Sequence, residues 1–372
     1  MGKLYTALGL MSGTSGDGVD VSIISSDGIN QYREISNKYF KYDQKIYENL
    51  HNLRDKILKS NDLLKNKNEI NSLEIEITLF HAKIVNEILE LVDEEIDFIG
   101  FHGQTIYHNS IEKISKQIGD GNLLSQLTKK TVIYNFRQND IKNGGEGAPL
   151  APLFHKLIVK QKKIELPVIV LNVGGIANVT VIGENIFKSS DLGPGNCLID
   201  EWIRNNTKFK FDKNGEIAKH GKTNDIILNQ ALDNFENRPN KKILSFDTKD
   251  FSLGFVRGLS LEDGAATLTD FTGRIIADGL FSLIHEAREK SWKVLVCGGG
   301  RKNISLIRKI EFITPKNIVI QPIDDYGIDG DYVESQAFAY LAIRSFLKLP
   351  ISFPLTTGCK EPCTGGEVVK NF

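Results

Sequence analysis

The chain lacks the features that mark export, membrane insertion or polyanion binding. No apolar run approaches a membrane span: residues 7–11 are the only such stretch before Ser12, too short for a signal sequence. Export is therefore not expected. Four cysteines in 372 residues form no regular framework, which argues against a disulfide-stapled fold and for a reducing compartment, the cytoplasm. Cys359 and Cys363 make a C-x-x-x-C, but no histidine or second cysteine pair stands near them in sequence to complete a zinc site. Lys and Arg total 46 against 47 Asp and Glu, so no net field is available to hold a nucleic acid. The basic stretches at residues 160–163 and at Lys241 and Lys242 are short and read as solvated faces.

What is present suits a two-lobed α/β protein, since 372 residues exceed one ordinary domain. Residues 5–10 and 19–24 read as apolar strands separated by Met11-Ser12-Gly13-Thr14-Ser15-Gly16-Asp17-Gly18. Residues 42–92 carry helical spacing, and residues 97–101 read as a short buried strand. After a strand at residues 131–136, the loop Gly144-Gly145-Glu146-Gly147-Ala148-Pro149 is the expected lobe junction. The opening design then returns: an apolar run at residues 167–171, a break at Asn172-Val173-Gly174-Gly175-Ile176-Ala177-Asn178, and a strand at residues 179–182. Residues 293–297 give another strand, ending in Gly298-Gly299-Gly300, and the last long helix is expected over residues 332–347. The lobes are set at residues 1–130 with about 333–372, and at residues 131–332.

Phosphates bound by backbone need several N–H groups pointing inward, and glycines let the chain curl closely enough to supply them. Gly13, Thr14 and Ser15 offer such amides with hydroxyls, while Asp17 would hold Mg²⁺ through water. Gly174 and Gly175 repeat the arrangement, and the triple glycine at 298–300 could let an adenine ring lie flat. Each turn alone reads equally well as a hairpin. None has the P-loop or dinucleotide-binding spacing. Asp191 precedes the Gly193-Pro194-Gly195 bend, where an exposed and rigid carboxylate could act as a general base or merely cap the next helix. His102, Gln104 and Thr105, following a strand, suit a polyhydroxylated ligand.

With these residues the chain resembles the anhydro-N-acetylmuramic acid kinase family, within the superfamily of actin, sugar kinases and heat-shock chaperone ATPases. The resemblance runs nearly end to end. It is carried by Gly9-Leu10-Met11-Ser12-Gly13-Thr14-Ser15, Asp17-Gly18-Val19-Asp20, His102-Gly103-Gln104-Thr105, Phe136-Arg137, Gly147-Ala148-Pro149, residues 171–180, Gly193-Pro194-Gly195-Asn196, residues 297–300 and Glu334 with Ala337-Phe338-Ala339. Gly16, Phe101, Leu192 and Gly121-Asn122 depart from the family pattern. The resemblance implies a two-lobed, ribonuclease H-like ATPase fold with its active site in the interdomain cleft. It implies that ATP, Mg²⁺ and water convert 1,6-anhydro-N-acetylmuramic acid to N-acetylmuramic acid 6-phosphate, with Asp191 as the base. The nucleotide would contact Gly13, Thr14, Ser15, Gly16, Asp17, Gly18, Val19, Asp20, Asn172, Gly174, Gly175, Gly298, Gly299, Gly300 and Asn303. The sugar would contact His102, Gln104, Arg137 and Glu334. Neither nucleic acid nor membrane is an expected partner, and a homodimer is left open. Rival readings are a kinase of another sugar, an actin-like ATPase without kinase activity and a sugar-sensing regulator.

Overall fold

The computed structural model describes residues 2–238, 245–287 and 291–372, so Lys241 and Lys242 lie outside the described residues. The chain divides into two compact units, one formed by Met1–Ile164 with Asp331–Phe372 and one by Glu165–Gly330. The sheet of the first unit contains β1 (Tyr5–Ser12), β2 (Gly18–Ser26), β3 (Tyr32–Lys41), β4 (Phe98–Asn109), β5 (Ile114–Ile118) and β6 (Thr131–Tyr134). That of the second contains β7 (Val168–Val173), β8 (Ile176–Ile182), β9 (Phe187–Pro194), β10 (Trp292–Cys297) and β11 (Ile318–Pro322), while β12 (Glu367–Val369) returns to the first.

The two sheets share one plan. In the first, β3, β2 and β1 run as an antiparallel meander, and β4 and β6 then continue parallel to β1, giving the order β3-β2-β1-β4-β6. In the second, β9, β8 and β7 form the meander and β10 and β11 continue it in parallel. This is the duplicated ribonuclease H-like arrangement expected from the resemblance. The central strands are apolar on both faces, as parallel strands covered by helices must be: β7 is buried along its whole length and β1 from Ala7 onward.

Several boundaries differ from the sequence reading. Strand β4 does not stop at Phe101 but runs to Asn109, so His102 and Gln104 lie within it, at an irregularity where Gly103 takes φ +74°. Asp191 lies inside β9, half-buried rather than exposed, because a bulge at Ala177 and Asn178 lets pairing with β8 continue through Pro194. The chain passes from one unit to the other after Ile164, not at the loop of residues 144–149. That loop is tied into the first unit by Gly145 N–H to Asp140 O (2.9 Å) and Glu146 N–H to Thr357 O (2.8 Å), and β6 pairs with β4.

The helix Val333–Phe346 belongs to the first unit, where its residues from Ser335 to Ser345 are all buried. It lies almost in contact with the sheet backbone. A Cβ at Gly9 would stand 2.0 Å from Ser335 O and 2.6 Å from Ala339 N, and one at Gly100 would stand 2.3 Å from Phe338 O. Glycine is required at both points by proximity, not by an unusual φ. No side-chain rotation relieves a clash with main chain, so Gly9→Ala is expected to lower stability by about 3 kcal/mol. Gly2→Ala, whose Cβ meets nothing nearer than 3.6 Å, should be near neutral. Equilibrium unfolding of both variants checks this.

Candidate active site

In the first unit, the turn after β1 has nearly all its carbonyls engaged by the protein. Gln104 Nε2 donates to Gly13 O (3.0 Å), Arg54 Nη1 to Thr14 O (2.5 Å), and Tyr39 OH to Asp17 O (3.0 Å). His51 Nε2 meets Ser15 O at 3.1 Å, which assigns its proton to that nitrogen. Gly16 turns the chain at φ +63° and closes the turn by donating to Gly13 O (3.2 Å). With the carbonyls held, the amides of the turn are the groups available to an anion. Below it, Ser12 Oγ pairs with Tyr42 OH at 2.9 Å.

Ser15 Oγ donates to Asp17 (2.5 Å), and both Asp17 and Asp20 act on Tyr39, whose hydroxyl is pushed up first by burial and then by these two charges. Two carboxylates and a hydroxyl are hard oxygen donors, which fit Mg²⁺ bound through water. Of the expected nucleotide contacts here, Val19 is fully buried in β2 and faces the core.

The expected sugar contacts His102, Arg137 and Glu334 come together in the same unit. His102 Nδ1 donates to Gly103 O (2.8 Å), which leaves Nε2 to accept from Arg137 Nη2 (2.9 Å) and Nε (3.3 Å). Burial, and then the Arg137 charge, hold this imidazole well below its ordinary value and so neutral. Arg137 Nη1 also donates to Gly147 O (2.7 Å). Burial raises the Glu334 carboxyl and Arg137 pulls it back. The buried Gln104 is spent on the turn through Nε2, while its Oε1 has no hydrogen-bond partner. It links the turn to β4.

In the second unit three glycine segments converge at the ends of β7 and β10. Gly175 O accepts from Gly195 N–H (2.9 Å) and Cys197 N–H (3.2 Å), and Gly174 O from Asn196 N–H (2.8 Å). A Cβ at Gly195 would stand 2.3 Å from Gly174 O, one at Gly300 2.3 Å from Val173 Cγ1, and one at Gly298 2.4 Å from Asn172 Oδ1. Asn172 is thereby placed against the triple glycine. Asn303 is used differently, because its Oδ1 caps the helix Ile304–Ile313 by accepting from Leu306 N–H (3.1 Å). Asp191 Oδ2 accepts from Phe246 N–H (2.7 Å), which fixes the carboxylate's orientation on β9.

Sequence reasoning missed His51, Arg54, Tyr39 and Asp140. His51 and Arg54 lie three residues apart on the helix Gln44–Lys56, a spacing indistinguishable from a solvated charged face. Cys359 and Cys363 do acquire a third neighbour, since their sulfurs and a carboxylate oxygen of Asp140 all lie within 4.8 Å of one another.

A family model described as anhydro-N-acetylmuramic acid kinase matches residues 5–371. A protein of that name from Pelagibacter ubique (strain HTCC1062) is 60% identical over 375 residues, covering 100% of both chains. Another from Zymomonas mobilis subsp. mobilis is 39% identical over 373 residues, covering 97% of this chain and 99% of its own. Among solved structures, a hexokinase from Schistosoma mansoni complexed with glucose aligns over 91% of this chain and 85% of its own, at 10% identity and a TM-score of 0.42.

Three histidines of the first unit are buried and held neutral by desolvation: His81, lowered to about 4, His155, lowered to about 3, and His102. Each takes up its proton only on unfolding. As pH falls below the ordinary value of 6.5, the unfolded chain therefore binds more protons than the native one, and stability drops. Each histidine should contribute a slope of up to about 1.4 kcal/mol per pH unit until its own lowered value is reached. Thermal melts from pH 7 to 4.5 should show a steep fall in midpoint, and a flat profile would contradict the assignment.

Proposed function

Because the chain belongs to the anhydro-N-acetylmuramic acid kinase family, we propose that it opens 1,6-anhydro-N-acetylmuramic acid with water and phosphorylates the released O6 from ATP. The products are N-acetylmuramic acid 6-phosphate and ADP. The observation that carries this reading is the full-length identity of 60% to a protein of that name. In this reading the reaction serves cell-wall recycling, and its need for ATP assigns it to the cytoplasm. No helix among the described residues is long and apolar enough to cross a membrane.

Asp191 takes a proton from the water that attacks the anomeric carbon. The bond from that carbon to O6 breaks, and O6 attacks the γ-phosphorus as ADP leaves. This resembles inverting glycoside hydrolysis, with a phosphoryl group taking the leaving oxygen in place of a proton. The hydrogen bond from Phe246 N–H supports the role, because it orients the carboxylate. Phosphoryl transfer asks mainly for positioning and charge neutralisation, which the amides near Gly13, Thr14 and Ser15 and those near Gly174 and Gly175 supply. Bound with ATP and held through water by Asp17, Mg²⁺ would neutralise phosphate charge. Arg137 and Glu334 receive the carboxylate and hydroxyls of the sugar, with the neutral His102 beside them accepting from Arg137 and so orienting its guanidinium.

In an assay that follows ADP and sugar phosphate together, Asp191→Asn is expected to lose turnover by about 10²–10⁴-fold while ATP binding stays close to wild type. Near-normal product formation would remove Asp191 from the chemistry. Arg54→Met releases the Thr14 carbonyl and is expected to raise the KM for ATP about tenfold, the worth of one charge-assisted hydrogen bond. The KM for sugar should hold steady, and an unchanged KM for ATP would count against the clamp.

A further inference from the structure

Asp140, three residues after Arg137, is 1% exposed and carries a carboxylate that nothing in the proposed chemistry uses. Its partners are numerous. Oδ2 accepts from Gly147 N–H (2.7 Å), and Oδ1 accepts from Thr357 Oγ1 (2.5 Å) and, more weakly, from Cys363 Sγ (3.9 Å). The carboxylate fills the inside of the loop that follows, since a Cβ on Gly145 would stand 2.1 Å from Oδ2. Gly147 is thus held on both sides, its N–H by Asp140 and its carbonyl by Arg137 Nη1 (2.7 Å). The Arg137 guanidinium in turn reaches His102 Nε2.

The nearby thiols do not make this a metal centre. Both carboxylate oxygens already accept from protein donors, Cys363 Sγ lies 3.0 Å from Ser352 Oγ, and burial pushes the Cys363 thiol up to about 11, which keeps it protonated. The cluster is better described as a hydrogen-bonded anchor. Thr357 belongs to it through its backbone as well, since its carbonyl accepts from Glu146 N–H (2.8 Å). Thus the segment after the helix Val333–Phe346 and the loop of residues 144–147 close around one buried carboxyl group.

We infer that Asp140 is a positioning residue for the sugar subsite, which fixes the Arg137 guanidinium against His102 by way of Gly147 and so sets affinity for the sugar without touching it. The inference rests on the reading that Arg137 contacts the sugar. Removing the carboxylate leaves Gly147 N–H buried without its acceptor and frees the loop whose carbonyl orients Arg137.

The proposal is tested by steady-state kinetics on four variants of the full chain. Asp140→Ala is expected to raise the KM for the anhydro sugar about tenfold, with the KM for ATP within about twofold. Asp140→Asn, which can still accept from Gly147 and donate to Thr357, should return the sugar KM to within about threefold of wild type. Arg137→Met should raise the sugar KM at least as much, and the double variant Asp140→Ala/Arg137→Met should be no worse than Arg137→Met alone, because the two act in series. Sugar and ATP KM values rising together, or additive losses in the double variant, would overturn the inference and leave Asp140 a purely structural residue. Should Arg137→Met leave the sugar KM unchanged, the sugar-subsite reading itself falls and the inference with it. If Arg137→Met raises it while Asp140→Ala does not, only the inference fails. Should Asp140→Ala not fold, Thr357→Val decides: a sugar KM raised about threefold supports the relay and an unchanged one overturns it.

Discussion

The contact on which the first unit depends is the one without side chains. At Gly9 and Gly100 the helix Val333–Phe346 approaches β1 and β4 so closely that a methyl group on either strand would overlap helix backbone. That approach sets how deeply the helix sits and therefore where its first turn places Glu334. It also fixes the two strands whose ends carry the functional groups, the turn of residues 13–17 after β1 and His102 and Gln104 within β4. Additional ties reinforce the same packing: Ser22 Oγ meets Ser335 Oγ at 2.6 Å, and Arg344 Nη1 donates to Gly28 O at 2.7 Å. A segment from the far end of the chain thus completes a sheet begun at residue 5.

Much of the candidate site was legible because its signals are local. A strand ending in glycine and small polar residues announces a turn, so Gly13-Thr14-Ser15 and Gly174-Gly175 were legible as turns, although each alone read equally well as a hairpin and only their repetition favoured a phosphate site. The duplication was legible too, since both meanders show the same apolar-turn-apolar pattern. The rest is set by contacts between residues far apart in sequence. Arg54 and His51 look like any charged helix face until the turn they hold is placed beside them. Asp140 looked like an ordinary polar residue because the donors that saturate it, Gly147 and Thr357, come from a loop and from a segment more than 200 residues away. The unit boundary was misplaced for a related reason: residues 131–164 contain a strand and a helix that could serve either sheet, and only the pairing of β6 with β4 assigns them.

The electrostatics divide along the same lines. The buried Arg301 side chain keeps its charge against the exposed Asp324 carboxylate at 2.7 Å, whereas the imidazoles of His81, His102 and His155 are taken out of water and kept neutral. His102 needs that neutrality, because only an unprotonated Nε2 can accept from Arg137. Burial there serves orientation, and the cost appears as sensitivity to acid.

The two glycine turns are also held in ways that evolution would treat differently. Around the first, carbonyls are gripped by side chains of Arg54, Gln104, Tyr39 and His51, so each grip can be weakened or exchanged by one codon change while the others persist. Around the second, the carbonyls of Gly174 and Gly175 are gripped by main-chain amides at Gly195, Asn196 and Cys197, which no ordinary substitution removes. Sequence drift can therefore retune the first cradle in small steps, whereas the second changes only by insertion, deletion or loss of a glycine. Variation in how the two proposed phosphate turns are held should accumulate among related chains on the helix Gln44–Lys56 and on β3 and β4, not around the Gly-Pro-Gly bend.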